Sequence, residues 1–221
     1  MLYGPFARTA RLVYKTFAPY KVEGYTPNSD EPSVYVVHHK NLSGPIHAIL
    51  TLPVESHLWV YRVFFDCGAC FRQYRDYTFT ERFGMPRVLA TPAAWLLSRI
   101  VPAIMRSFAA IPVHRDSRRI LDTFKQSHSA LLKGESLIIC PDIDYDSSSE
   151  QMGEIYTGFF HLEKTYFKAT GKHLNFVPVS YDKKTHQTHI GAPICFNDRS
   201  SFTEQKDTVA KQLISTINSL F

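Results

Sequence analysis

Short apolar runs recur along the chain and are typical of buried strands. The first, at 34–37, follows Pro32 and consists of three valines and a tyrosine. Similar runs lie at 58–65, 136–140 and 176–179, and Pro141 ends the run at 136–140. We predict strands over these four runs. A fifth strand is predicted over 190–196, at a sheet edge, because Pro193 cannot donate to a strand ladder.

Apolar positions spaced three and four residues apart predict helices between these strands. One helix is expected over 154–170 and another after Ser201, which forms a capping-box pattern with Glu204 and predicts a C-terminal helix over about 202–220. Further helices are expected from 46 to 52 and from Ser117 to 133, before Gly134. Strands that alternate with helices predict an α/β fold, in which helices flank a central, mixed and largely parallel sheet.

The composition is that of a globular chain with a sizeable core. Of the 221 residues, 44% are hydrophobic and 20% are charged, which excludes a disordered tail, a collagen and a coiled coil. We expect a single domain over residues 1–221. The formal net charge of +5 favours an anionic partner: a nucleic acid, a phosphorylated metabolite or an acidic membrane surface.

Four cysteines in a chain of this length favour a reducing cytoplasm over secretion. Cys67 and Cys70 form a C-x-x-C motif, but no second motif follows at zinc-finger spacing, so no metal site is expected. Redox chemistry at this motif stays open, and buried or incidental thiols are the commoner interpretation.

The segment 87–108 is the most apolar part of the chain. Two arginines, Arg99 and Arg106, and three prolines interrupt the apolar stretch 88–113 that overlaps it, so we expect the segment to lie on a membrane and not to cross one. An amphipathic helix packed on the sheet is the alternative. The N-terminal residues lack the apolar core of a signal peptide, so no secretory leader is expected.

Four motifs follow one another in an order more informative than any one of them. His38-His39 ends the first predicted strand, and Ala109-Ala-Ile-Pro-Val113-His-Arg115 comes later. A strand that ends in Cys140-Pro141-Asp142 follows, and then Val177-Pro-Val and Gly191-Ala-Pro-Ile194. This order resembles the glycerophospholipid acyltransferases, the family that acylates glycerol 3-phosphate and lysophosphatidate. The resemblance implies that family's α/β fold, over nearly the whole chain.

The family's first motif is Asn-His-x4-Asp, and it supplies a catalytic His–Asp pair. His38 stands at the Asn, His39 at the His, and Gly44 at the Asp. The resemblance implies that His39 is the general base that takes the proton from a glycerol hydroxyl. Because Gly44 has no carboxylate, three alternatives stay open: Ser43 or an acid such as Asp142 orients His39, His38 acts instead, or the chain binds without catalysis.

The family's second motif supplies the arginine that binds the acceptor's phosphate. Arg115 stands at the family's phosphate-binding arginine, and Lys40 and Arg118 are further cations for the same group. In the third motif, Asp142 replaces the family's Glu and Tyr145 its Arg. The acidic residues after Pro141 also look like the start of a calcium loop, but an EF-hand requires Gly and Glu at later positions that this chain lacks.

The resemblance implies an acyltransferase that moves a fatty acyl group from an acyl-CoA or an acyl carrier protein to an anionic glycerolipid acceptor. The implied reaction requires no metal or redox cofactor. We expect the protein to be cytoplasmic and attached peripherally to the inner face of the membrane. A non-catalytic lipid- or carrier-binding relative is the second hypothesis. The aromatic and basic residues over 71–82 could stack nucleobases, but their helical spacing argues against that, so no nucleic-acid partner is expected.

Overall fold

The computed structural model describes residues 1–18, 20–26, 31–114, 118–145 and 149–220. The strands of these residues form one seven-stranded sheet. They are β1 (Lys21–Gly24), β2 (Ser33–Val37), β3 (Ser56–Tyr61), β4 (Ile111–Val113), β5 (Ser136–Ile139), β6 (Asn175–Asp182) and β7 (Gln187–Ile190). The α-helices are α1 (Pro5–Phe17), α2 (Ser43–Thr51), α3 (Cys67–Arg72), α4 (Arg87–Ser107), α5 (Ile120–Leu132), α6 (His161–Thr170) and α7 (Phe202–Ser219).

The spatial order of the strands is β1-β7-β6-β2-β5-β3-β4. Only β6 and β7 are antiparallel among these neighbours, and every other pair is parallel. The prediction of a mixed, largely parallel sheet flanked by helices is therefore confirmed. The two central strands, β2 and β5, are neighbours, so the loops after them leave the same edge of the sheet.

Two apolar cores cover the two faces of the sheet because alternate strand residues point in opposite directions. Val34 and Val36 of β2 pack with the apolar faces of α5, α6 and α7, including Leu131, Leu162 and Leu213. Tyr35 and Val37 point to the other face, where α1 and α2 cover them. The runs predicted at 34–37, 136–140 and 176–179 all fall on these central strands, which are buried on both sides.

Several predicted boundaries are wrong. The predicted strand at 190–196 ends at Ile190, and beyond it Ile194 makes only an isolated bridge with Phe176. Here Gly191 approaches the ring of Pro178, so an added Cβ would lie 2.7 Å from Pro178 Cγ. The helix predicted from 154 begins with a 3₁₀ turn, Thr157–Phe160, and the strand predicted over 58–65 ends at Tyr61 in another, Arg62–Phe65.

The helix predicted from Ser117 begins at Ile120, and Ser117 lies outside the described residues. The capping box at Ser201 and Glu204 is confirmed, with both reciprocal hydrogen bonds formed. After α3 the chain continues as a ten-residue π-helix, Gln73–Arg82, in the aromatic and basic segment where the sequence predicts loose helical spacing.

Helix α4 packs through a stripe of small residues and exposes large apolar ones. Ala90, Ala94, Ser98 and Pro102 are buried. The opposite side chains are exposed: Val88, Leu89, Trp95, Leu96 and Ile100. By length and composition alone α4 is able to cross a membrane, and 22% of its most apolar window is buried. Hydrogen bonds join its last residue, Ser107, to the start of α1.

Candidate functional site

The loop after β2 carries both histidines and has an unusual backbone. Lys40, Asn41 and Leu42 all have left-handed φ angles, of 41°, 50° and 76°. L-amino acids with side chains rarely adopt this conformation, and strain of this kind is concentrated at functional sites. The turn reverses the chain immediately after His39 and leads into α2.

Gly44 closes this turn, and its backbone N–H donates to the His39 carbonyl at 3.1 Å. A Cβ at position 44 would lie 1.8 Å from the His38 carbonyl oxygen, so no side chain fits there. The absence of the family's carboxylate at this position is therefore a consequence of the backbone path. A carboxylate for either imidazole must come from elsewhere in the fold.

Asp142 supplies that carboxylate from the loop after β5. Its Oδ1 is hydrogen-bonded to His38 Nδ1, and its Oδ2 accepts a bond of 2.9 Å from the backbone N–H of His39. Both side chains are buried, with relative exposures of 3% for His38 and 6% for Asp142. The parallel pairing of β2 with β5 brings these residues together although they lie 104 positions apart.

The backbone on either side of Asp142 is held by the segment 154–156. The Ile143 N–H donates to the Glu154 carbonyl at 3.1 Å, and the Tyr156 N–H donates to the Pro141 carbonyl at 2.8 Å. Asp142 also forms an isolated bridge with Ile155. The carboxylate is thus presented from a fixed position, as a group that orients an imidazole requires.

The second ring nitrogen of His38 faces a backbone carbonyl. His38 Nε2 lies 3.0 Å from the oxygen of Ser149. Because both partners of the ring are acceptors, both hydrogen bonds form only when both nitrogens carry a proton. A substrate hydroxyl that reached Nε2 would have to replace the Ser149 carbonyl as its partner.

His39 has a different environment. Its Nδ1 accepts a hydrogen bond of 3.2 Å from the backbone N–H of Leu42, and its ring contacts Tyr145 edge to face at 6.0 Å. An imidazole that accepts at Nδ1 carries its proton at Nε2 in the neutral form. The Ser43 hydroxyl donates to the Lys40 carbonyl at 2.7 Å, and so stabilises the turn.

The three predicted phosphate-binding cations are differently placed. Lys40 Nζ lies 2.8 Å from Glu150 Oε2 and 3.1 Å from the Tyr181 carbonyl, and this bond holds the pKa of Glu150 below its ordinary value. Arg118 is exposed before α5, which follows β4. Strand β4 lies three places from β2, or about 14 Å across the sheet. Arg115 lies outside the described residues.

One cation near the histidine loop was not predicted as a site residue. Arg82, the last residue of the π-helix, donates through Nη2 to the Asn41 side-chain oxygen at 2.5 Å. It belongs to the aromatic and basic segment over 71–82, whose composition by itself does not indicate a contact with the histidine loop. Its fold brings a guanidinium to the strained turn that follows His39.

A third imidazole lies on α2, in an aromatic cluster. His47 stacks on Tyr181 at 3.6 Å, and its Nδ1 is 2.5 Å from the Tyr14 hydroxyl. Burial and the nearby charges of Lys183 and His186 lower the pKa of His47 to about 4. It is therefore neutral near pH 7 and acts in packing α1 against α2.

The described residues contain no group of three or more His, Cys, Asp or Glu side chains arranged to hold a metal ion. Cys67 and Cys70 are free thiols at the start of α3, and burial raises the pKa of Cys70 to about 11. That shift makes Cys70 a weak nucleophile.

Comparison with solved structures identifies an acyltransferase-like fold. The chain is similar to the 1-acyl-sn-glycerophosphate (LPA) acyltransferase PlsC from Thermotoga maritima, with a TM-score of 0.56 and 13% sequence identity. The match covers 97% of this chain and 78% of that one. No protein-family profile and no curated protein matches the sequence. At this identity, the likeness establishes the fold.

Proposed function

We propose that this protein is an acyltransferase that moves a fatty acyl group from a thioester to a hydroxyl of an anionic glycerolipid acceptor. The fold supports the class, since a similar chain is a 1-acyl-sn-glycerophosphate acyltransferase. The observation that carries the proposal is the buried His38–Asp142 pair at the carboxyl edge of the sheet. It has the components of a general base and its orienting carboxylate.

In the proposed reaction, His38 Nε2 gives up the Ser149 carbonyl and releases its proton to water, and an acceptor hydroxyl then donates to the bare nitrogen. With the Nδ1 proton held by Asp142, Nε2 takes the hydroxyl proton as the oxygen attacks the thioester carbon. The new ester C–O bond forms, the C–S bond breaks, and the leaving thiolate takes the proton from Nε2. No metal or redox cofactor takes part in this proton transfer, and the donor is an acyl-CoA or an acyl carrier protein.

Hydrogen-bond partners support His38 over His39 as the base. The family resemblance places the base at His39, and that assignment remains the alternative. A base that acts through Nε2 needs an acceptor at Nδ1, which His38 has in Asp142. His39 instead has a donor at Nδ1, the Leu42 N–H, which suits an imidazole that donates from Nε2 to an oxygen of the substrate.

The candidate contacts for the phosphate of the acyl acceptor are Arg115, Lys40 and Arg118. A membrane surface is the proposed source of the acceptor. The exposed apolar side chains of α4 support peripheral attachment, and those of α1, such as Phe6, Val13 and Phe17, extend the same kind of surface. A cytoplasmic protein bound to the inner face of the membrane fits this arrangement.

Turnover with purified protein tests the proposal. Acyl-CoA or acyl carrier protein is supplied with lysophosphatidate, and release of the free thiol is followed alongside formation of the diacyl product. We expect His38→Gln to lower the rate by about a thousandfold or more, and His39→Gln to lower it much less. His161→Gln, an exposed imidazole on α6, is the matched control. Loss of turnover in His39→Gln but not in His38→Gln would show that His39 is the base.

A non-catalytic binder is the second candidate, and one observation favours it. His38 is only 3% exposed, and its Nε2 is already bonded to Ser149. Such a protein would bind lysophosphatidate or the acyl donor without releasing thiol. Binding that occurs without turnover for either donor would support this candidate and exclude the acyltransferase.

A further inference from the structure

Ser180 is a buried serine of β6, the strand that lies beside β2 and His38. The last pair of the parallel β2–β6 ladder is Val37 with Val179. His38 and Ser180 are the next residues of the two chains, and paired strands lie about 4.8 Å apart, so the two residues are neighbours across the sheet. The chain stays beside β6 after His38, because the Lys40 ammonium donates at 3.1 Å to the carbonyl of the residue that follows Ser180.

The side chains of His38 and Ser180 point to the same face of the sheet. Alternate residues of a strand point to opposite faces. Val36 of β2 and Phe176 of β6 both lie in the core that α5, α6 and α7 cover. His38 is two positions after Val36, and Ser180 is four positions after Phe176, so both point to that face. The Ser180 hydroxyl is therefore placed beside the imidazole that we propose as the base.

The Ser180 hydroxyl has no hydrogen-bond partner among the described residues, although the residue is only 2% exposed. An unpaired buried hydroxyl costs folding free energy, and each such group in a native protein requires an explanation. Ser136, a buried serine at the opposite end of β5, shows the usual arrangement: its Oγ accepts from the Ser33 N–H at 3.1 Å. The unpaired hydroxyl beside the proposed base thus indicates a donor that a bound ligand would use.

We propose that the Ser180 hydroxyl donates a hydrogen bond to the thioester oxygen of the acyl donor. This inference rests on the proposed acyl transfer and names a further residue that contacts the reacting atoms. As the acceptor oxygen attacks the carbon, the π electrons of the C=O bond move to its oxygen, and they return when the C–S bond breaks. A donor aimed at that oxygen stabilises the charge. Ser180 keeps its proton, because an activated serine nucleophile needs a base within hydrogen-bonding distance and Oγ has none among the described residues.

The first test compares Ser180→Ala with Ser136→Ala in the full chain, by turnover and by urea denaturation. We expect Ser180→Ala to lower kcat by roughly a hundredfold and to keep or raise the urea midpoint, because no bond of the folded protein is lost. Ser136→Ala should lower the midpoint and leave kcat unchanged, because it removes the acceptor of the Ser33 N–H. A kcat of Ser180→Ala within about threefold of the wild type would overturn the role of Ser180 and leave the acyl transfer in place.

The carbonyl stretching band of the bound donor gives a second readout, which does not depend on turnover. Palmitoyl-CoA or palmitoyl-acyl carrier protein, labelled with ¹³C at the thioester carbon, is bound without an acceptor. We expect the band at lower wavenumber in the wild type and Ser136→Ala than in Ser180→Ala, because a hydrogen bond to the oxygen weakens the C=O bond. If the bands differ in this way but no protein turns over, the acyl transfer fails and the Ser180 contact stands. Bands at the same position in the wild type and Ser180→Ala, or no binding of either donor by the wild type, would overturn the contact.

Discussion

Replacing Asp142 with asparagine removes the charge of the buried carboxylate and keeps its shape. The carboxylate accepts two hydrogen bonds, from the His38 ring and from the His39 backbone N–H. An asparagine offers one carbonyl oxygen and one NH₂ group. If the NH₂ faces His38, the ring accepts at Nδ1 and carries its proton on Nε2, which is the wrong tautomer for a base. If the amide turns the other way, its NH₂ faces the His39 N–H and that bond is lost.

The expected changes in kcat and in the free energy of unfolding follow from these hydrogen bonds. Loss of the orienting carboxylate costs about ten-thousandfold in kcat in the serine-protease case, where the imidazole likewise takes the wrong tautomer. One unsatisfied buried donor costs about 1–3 kcal/mol in the free energy of unfolding, and since only the second orientation leaves one, we expect a loss no larger than this. Because the site is almost fully buried, water cannot replace the missing bond.

Two assays separate the effects. Thiol release from acyl-CoA in the presence of lysophosphatidate reports activity, and urea denaturation reports the free energy of unfolding. The control is Asp144→Asn, an exposed acid in the same loop, for which we expect both quantities to stay near the wild-type values. The double variant His38→Gln with Asp142→Asn should be no slower than His38→Gln alone, since groups that act as a unit are not additive.

An active Asp142→Asn variant would refute this reasoning. If it folds and keeps its kcat within about threefold of the wild type, the carboxylate does not orient a catalytic base. If the double variant is slower than His38→Gln by the full factor of the Asp142→Asn change, the two residues act separately and the pair is not one catalytic unit.

Two further predictions concern stability and membrane binding. His47 takes up a proton near pH 6.5 in the unfolded chain and only near pH 4 in the folded protein, so the folded protein is less stable at low pH. We expect the free energy of unfolding to fall by about 1–2 kcal/mol between these pH values, because solvent partly screens the half-buried ring. Urea denaturation from pH 8 to 4 measures this loss, and a loss of equal size in His47→Gln would contradict it. Replacing Trp95 and Leu96 with serine should reduce cosedimentation with anionic vesicles several-fold. Leu121→Ser, an exposed apolar control on α5, should bind like the wild type, and undiminished binding by the α4 variant would exclude α4 as the contact.

Local sequence patterns predicted the centre of the fold. The runs at 34–37, 136–140 and 176–179 lie on strands that are covered on both faces, so their continuous apolar character is visible without any partner. The capping box at Ser201 is equally local, because its two hydrogen bonds join residues three positions apart. The fold class followed from the alternation of these elements.

The edges of the sheet were less predictable. Strand β4 has three residues and β1 has four exposed ones, so neither has a pattern that distinguishes it from a loop. The segment after Ile190 looks like a strand, but the close approach of Gly191 to Pro178 ends the regular pairing there. The π-helix at 73–82 is likewise decided by its aromatic packing and not by a local period.

The sequence alone identified His38, His39 and Asp142 as candidate residues and showed that position 44 lacks the expected carboxylate. Only the tertiary structure decided which imidazole is hydrogen-bonded to Asp142, because that pairing depends on β2 and β5 being neighbours. The placement of Arg82 against Asn41 depends in the same way on how the π-helix packs. Periodicity and capping are properties of adjacent residues, whereas the order of strands and the contacts between distant loops are set by the packing of the whole chain.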